Sequence, residues 1–260
     1  MTWLALLVAI LAPGAAQEEP LVFGVEVEVV RVEVLVTRKD EPVRDLTAEN
    51  FELRDNGVRQ QLNPIAFEEA PVDALLVLDM SASVQGSKLE ALREAAGAFL
   101  DGLAPVDRVA LVGFQESVTL GVPLTSESPA VRFALDTVRG GGSTALHDAV
   151  YVALRLPEPG SRRSAVVVFS DGIDNVSWLS DEDVVEAARR SGAVVYGVDA
   201  REPGDPDHRF LKDVAKATGG RVWRARKTDD LPARFLAVLH DIRARYVLSY
   251  TPTGVDTPGW

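Results

Sequence analysis

Two kinds of apolar pattern divide the chain. Up to about residue 69, apolar and polar positions tend to alternate; beyond Pro71, short unbroken apolar runs take turns with stretches whose apolar residues return every three or four positions. Period two marks a strand with one face covered, an unbroken run marks a strand covered on both faces, and the longer period marks a helix lying on a core. In the first part, Val25, Val27 and Val29 alternate with Glu26 and Glu28, the phase slips at Val29-Val30, and alternation resumes through Val32, Val34 and Val36. That predicts one long strand with a bulge. Asp55-Asn56-Gly57 between residues 51–54 and 58–61 predicts a hairpin, because both central turn residues need positive φ. Residues 17–70 therefore read as a small antiparallel β unit.

Beyond Pro71 the pattern predicts strands at 74–79, 109–114, 165–170, 193–198 and 220–225, with 118–124 returning antiparallel beside the second. Between them, Ser87-Lys88-Leu89-Glu90 reads as a capping box opening a helix with Leu89, Leu92, Ala96, Phe99 and Leu103 inward. Further helices are predicted at 129–138, 145–156, after the Ser180 cap, at 210–218 and at 231–243. Strands alternating with helices in this way make an α/β unit: a doubly wound, mostly parallel sheet with helices on both faces, spanning 71–245. Residues 246–250 form one more strand outside that series, with 246–260 as a C-terminal strand and tail able to pair with the β unit.

Composition narrows the function classes. The 260 residues carry a formal net charge of −12, which argues against nucleic acid or an anionic membrane surface as partner. There is no cysteine, so thiol catalysis, disulfides and Cys-ligated zinc are excluded. Residues 1–16 read as an export signal, with an apolar core from Trp3 to Leu11 and small residues Pro13-Gly14-Ala15-Ala16 before Gln17. Cleavage there implies a secreted or periplasmic location.

The candidate chemistry sits at strand ends. The apolar run from Ala74 stops at Asp79-Met80-Ser81-Ala82-Ser83, one carboxylate and two hydroxyls in five residues. Such oxygens suit a hard cation, although Asp and Ser are also the commonest cap and turn residues, and the stretch alone leaves both readings open. The strand at 165–170 likewise runs into a carboxylate, Asp171, and a loop Gly140-Gly141-Gly142-Ser143-Thr144 precedes a helix. Open α/β sheets bind ligands beyond the carboxyl ends of strands where the strand order reverses. If the first and fourth strands flank that reversal, Asp79 and Asp171 lie side by side.

These motifs, Asp79-x-Ser81-x-Ser83, Thr144 within Gly142-Ser143-Thr144-Ala145-Leu146-His147-Asp148, and Asp171 within Phe169-Ser170-Asp171-Gly172, resemble the metal-ion-dependent adhesion site (MIDAS) of von Willebrand factor type A domains. The resemblance covers residues 72–243. The β unit, with Val34-Leu35-Val36-Thr37, Leu46-Thr47 and Phe51-Glu52-Leu53, is similar to a bacterial secreted subgroup of such proteins. The resemblance implies Mg²⁺, or Mn²⁺ or Ca²⁺ in its place, held by Ser81, Ser83 and Thr144, with Asp79 and Asp171 acting directly or through water. It further implies a protein partner that offers an Asp or Glu side chain to the metal.

Around those ligands, Val84, Gln85, Asn175, Val176 and Trp178 are the candidate rim. Trp178 suits an interface anchor as well as a helix-packing residue. Asp174 reads as a turn residue, and Asp148 as a helix N-terminal or outer-shell carboxylate. Two rivals remain: an envelope module whose metal only staples loops, and a Mg²⁺-dependent phosphatase-like hydrolase. The hydrolase is disfavoured because Met80-Ser81 replaces the second Asp such enzymes need, and because no two of His147, His208 and His240 have metal-pair spacing.

Overall fold

A computed structural model of the protein describes residues 29–63, 71–157, 162–171, 173–201, 204–205 and 209–255. The export signal, residues 17–28 with the first alternations of the long strand, and His208 lie outside the described residues; the phase slip at Val29-Val30 falls where β1 begins. The β unit contains β1 (Val30–Val34), β2 (Thr37–Arg38), β3 (Glu41–Pro42), β4 (Leu53–Asp55) and β5 (Val58–Gln60). β4 and β5 form the hairpin that Asn56-Gly57 predicts, with φ of 47° and 83° at its two central residues. The strand predicted to continue through Val36 instead ends at Val34, and the chain folds into a second, two-pair hairpin of β2 and β3. Lys39 and Asp40 hold the left-handed turn positions there, φ 52° and 68°, without a glycine to announce it.

The α/β unit runs β6 (Val72–Asp79), α1 (Ser87–Asp101), β7 (Arg108–Phe114), β8 (Val118–Thr125), α2 (Ser128–Thr137), α3 (Leu146–Arg155), β9 (Arg163–Ser170), α4 (Asp181–Arg190), β10 (Val194–Asp199), α5 (Arg209–Ala217), β11 (Val222–Arg224) and α6 (Leu231–Arg243). Among the described residues six strands make the main sheet in the order β11-β10-β9-β6-β7-β8, all parallel except β8. β6, in the middle, is buried along its whole length. Its alternate residues serve two cores: Ala74, Leu76 and Leu78 pack with α1, α2 and α6, while Leu75 and Val77 pack with α3, α4 and α5. That division is what a doubly covered parallel strand requires. No helix among the described residues is long and apolar enough to cross a membrane.

A second local expectation is overturned at the start of α1. The box at Ser87 does not cap α1; Gly86 occupies the N-cap with φ 55°, and Ser87 is already in the first turn. The loop from Asp79 has to reverse sharply before the helix, and a positive φ at glycine makes that turn at little steric cost. Ser180, by contrast, caps α4, its side chain accepting the Asp183 N–H at 3.2 Å.

A last strand, β12 (Tyr246–Tyr250), leaves α6 and pairs antiparallel with β1. The join between the two units is polar and specific. Tyr246 Oη accepts the Leu46 N–H at 3.1 Å and donates to the Val43 carbonyl at 2.9 Å. Arg163, at the start of β9, donates to Glu33 of β1 and to the Ile242 carbonyl, both at 3.0 Å. At the same amino-terminal edge of the sheet, Asp73 is held by Arg108 and Arg162, and Asp107 accepts the Val72 N–H at 2.8 Å.

Candidate metal centre

The strand order places β6 beside β9, so the reversal falls between the strand that ends in Asp79 and the strand that Asp171 immediately follows. Leu78 pairs with Phe169, which sets Asp79 level with Ser170. Ser170 Oγ donates to Asp79 Oδ2 at 2.7 Å, and the Ser81 N–H donates to Oδ1 at 2.9 Å. Burial, complete for Asp79 at 0% exposure, pushes its carboxyl above the usual carboxylate range. The hydrogen bonds from Ser81 and Ser170 pull it back down, and the charge of Asp171 adds to the rise.

From that anchor the loop turns its hydroxyls together. Ser81 Oγ lies 3.1 Å from Ser83 Oγ, and Ser83 Oγ donates to Asp171 Oδ1 at 2.7 Å. The Gly-rich loop is bonded to the same segment: the Ala82 N–H donates to the Gly142 carbonyl at 3.1 Å and the Gly141 N–H to the Met80 carbonyl at 2.8 Å. This approach needs glycine. A side chain at Gly140 would collide with the Val84 carbonyl, and Gly142 sits at φ 75°. Two residues on, buried Thr144 is fixed by Asn175, whose Oδ1 accepts the Thr144 N–H at 2.9 Å and whose own N–H donates to the Thr144 carbonyl at 3.0 Å. Asp79, Ser81, Ser83 and Asp171 are thus drawn together, with Thr144 on the adjoining loop.

The oxygen set can hold a small hard dication. Metal–oxygen bonds of about 2.1 Å in an octahedron put neighbouring oxygens about 3 Å apart. The Ser81–Ser83 and Ser83–Asp171 spacings of 3.1 and 2.7 Å bracket that edge. A protein cation already stands at this point: the Lys88 ammonium, from the first turn of α1, is paired with Asp171 Oδ2. Lys88 passed unnoticed in the sequence as the second letter of a supposed capping box. The available signal was its position, since the positive end of a helix disfavours a lysine there. Ser170, too, read only as the last residue of a strand.

The rim divides. Val84 does not belong to it, being 0% exposed and part of the core under α1, because the loop buries its apolar side chain while presenting serines. Gln85 is exposed and donates to the Gly140 carbonyl at 3.4 Å. Asn175 and Val176 are exposed, and Trp178 is 95% exposed, so it does not pack on the following helix. The loop carrying Trp178 is nonetheless fastened to the start of α3. Asp148 accepts the N–H groups of Trp178 and Leu179, each at 3.1 Å, and Asp174 accepts the N–H groups of His147 at 3.0 Å and Ser177 at 3.1 Å. His147 packs at a tilt against Phe210 with ring centroids 4.2 Å apart, and His240 meets Arg44 at 2.8 Å, so neither joins the centre.

Comparison with known proteins agrees with this architecture. Residues 74–173 match the family model of the von Willebrand factor type A domain. A UPF0353 protein of Mycobacterium avium is 25% identical over 204 residues, covering 65% of this chain and 60% of that relative. The chain thus spans about 60% of the length of the curated relatives it matches. A solved von Willebrand factor type A structure from Catenulispora acidiphila is similar at a TM-score of 0.57 and 20% identity, covering 67% of this chain and 42% of that one. Proximal thread matrix protein 1 of the mussel byssus, solved with a zinc-occupied MIDAS motif, is similar at a TM-score of 0.60 and 20% identity, covering 70% and 48%. At these identities the likeness to both structures is one of fold.

Proposed function

We propose, from the match of residues 74–173 to the family model of the von Willebrand factor type A domain, that this protein is a divalent-metal-dependent protein-binding module that captures an acidic residue of a partner. Domains of this type are generally interaction modules and not catalysts. The carrying observation is the meeting of Ser81, Ser83 and Asp171 oxygens at 2.7–3.1 Å beside the buried Asp79 carboxylate. Ser81, Ser83 and Thr144 would hold Mg²⁺, or Mn²⁺ or Ca²⁺, while Asp79 and Asp171 orient the site or ligate. A zinc-occupied MIDAS in a protein of similar fold supports a dication here. Bound there, the ion supplies a coordination position for a carboxylate from outside the chain.

The residues of this chain do the rest. Gln85, Asn175, Val176 and Trp178 surround the loops and would choose among partners, with Trp178 as the apolar anchor beside the acid. The proposal includes export to the cell exterior or periplasm, which rests on the leader-like residues 1–16.

The test is thermal melting with Mg²⁺ and with chelator, then capture of partners under both conditions. Mg²⁺ should raise the melting temperature of the wild type, and Asp79→Ala should abolish the shift. A melting curve indifferent to metal refutes the proposal. A metal-dependent rise in melting temperature without metal-dependent capture favours the envelope module with a loop-stapling ion.

A further inference from the structure

We infer that Lys88 is the resident counter-cation of the metal centre: its ammonium holds Asp171 in the metal-free protein and gives that carboxylate up when a dication binds, so that Lys88 sets how tightly metal is held. The inference rests on the metal reading above. The Asp171 side chain is 1% exposed, and a buried carboxylate without a cation is strongly disfavoured. Its two oxygens are both engaged, Oδ1 by the Ser83 hydroxyl at 2.7 Å and Oδ2 by the Lys88 ammonium. An ion drawing on Asp171 must therefore take over one of these partners or bind against the ammonium's charge.

Lys88 is suited to yield. Its side chain is 22% exposed against 1% for Asp171, so the lysine is the outer member of the pair, and a flexible four-carbon stem lets it move out without disturbing α1. Nor does α1 need it. A cation in the first turn opposes the helix dipole, and Glu90 is the residue of that turn whose sign suits it. The placement makes sense as service to Asp171: it ties the end of β9 to the start of α1 before metal arrives and moderates the affinity afterwards.

Mg²⁺ titration calorimetry and melting in chelator of the full chain, wild type against Lys88→Met and Lys88→Arg, test this. Lys88→Met should melt lower in chelator and bind Mg²⁺ about tenfold more tightly, as expected when a like charge is removed a few ångströms from the ion. Lys88→Arg, which keeps the charge and can grip the carboxylate with two N–H groups, should bind no more tightly than wild type. Wild-type binding with Lys88→Met no tighter overturns the inference and leaves the metal reading standing. Mg²⁺ binding by neither protein overturns both. If Lys88→Met does not fold, amine-reactive labelling of the wild type decides: labelling of Lys88 should rise on adding Mg²⁺, and unchanged labelling overturns the inference.

Discussion

Ser170→Ala tests how the centre is built, independently of any bound ion. The Ser170 hydroxyl and the Asp79 carboxylate are both fully buried, and the bond between them is 2.7 Å. Removing the hydroxyl leaves Asp79 Oδ2 without that donor, while Oδ1 keeps the Ser81 N–H. A hydrogen bond to a buried charged group contributes about 1.5–3 kcal/mol, and alanine leaves almost no new space, so the loss should be about 2 kcal/mol. For a chain of this size that corresponds to about 4–8 °C in melting temperature. Urea denaturation in chelator, followed by circular dichroism, should show the midpoint falling by about 1 M with an unchanged slope. In a cycle with Asp79→Asn the two losses should fall short of additive, because each change touches the same bond. A loss below about 0.5 kcal/mol would mean that Asp79 is not held by Ser170 in solution, and the account of its orientation would fail.

Two further outcomes follow from other residues. Trp178→Ala should leave stability within about 0.5 kcal/mol of wild type, since the side chain is 95% exposed, yet abolish metal-dependent capture; retained capture removes Trp178 from the rim. Burial alone would push the Asp73 carboxyl up, but hydrogen bonds from Arg108 and Arg162 outweigh it and hold it below its ordinary value of 3.8. The unfolded chain therefore takes up this proton first on acidification. The stability Asp73 contributes is complete above the unfolded value and declines as pH falls toward the lowered folded one. Urea midpoints measured between about pH 2 and 5 should accordingly depend less steeply on pH in Asp73→Asn than in wild type, and an unchanged slope refutes the assignment.

Much of this architecture was legible because the deciding signals were local. Asn56-Gly57 states its turn in two letters, and the run from Ala74 to Asp79 states both a doubly covered strand and the carboxylate at its end. The topological switch was legible from the pairing of Asp79 with Asp171 at two strand ends. What failed depended on three-dimensional context. The Ser87 box has the right letters, but the reversal before α1 gives the cap to Gly86. Lys39 and Asp40 adopt positive φ although neither residue type demands it. Val84 sits among site residues in sequence, yet the loop turns it inward to the core. Ser170 and Lys88 acquire their roles only through partners 91 and 83 positions away.

The β1–β12 ladder has a mechanical consequence. Val30 lies opposite Tyr250 and Val34 opposite Tyr246, so the strands part company at the Val30–Tyr250 end. A tension applied across Val30 and Tyr250 would load the ladder one pair at a time, as a zipper opens, and not all five pairs together in shear. The clasp is anchored through Arg163 at the pole of the sheet opposite Asp79. Pulling on the flanks would peel it first and leave the loops around Ser81 and Asp171 unstrained, like a grip whose strap gives way before its fingers do.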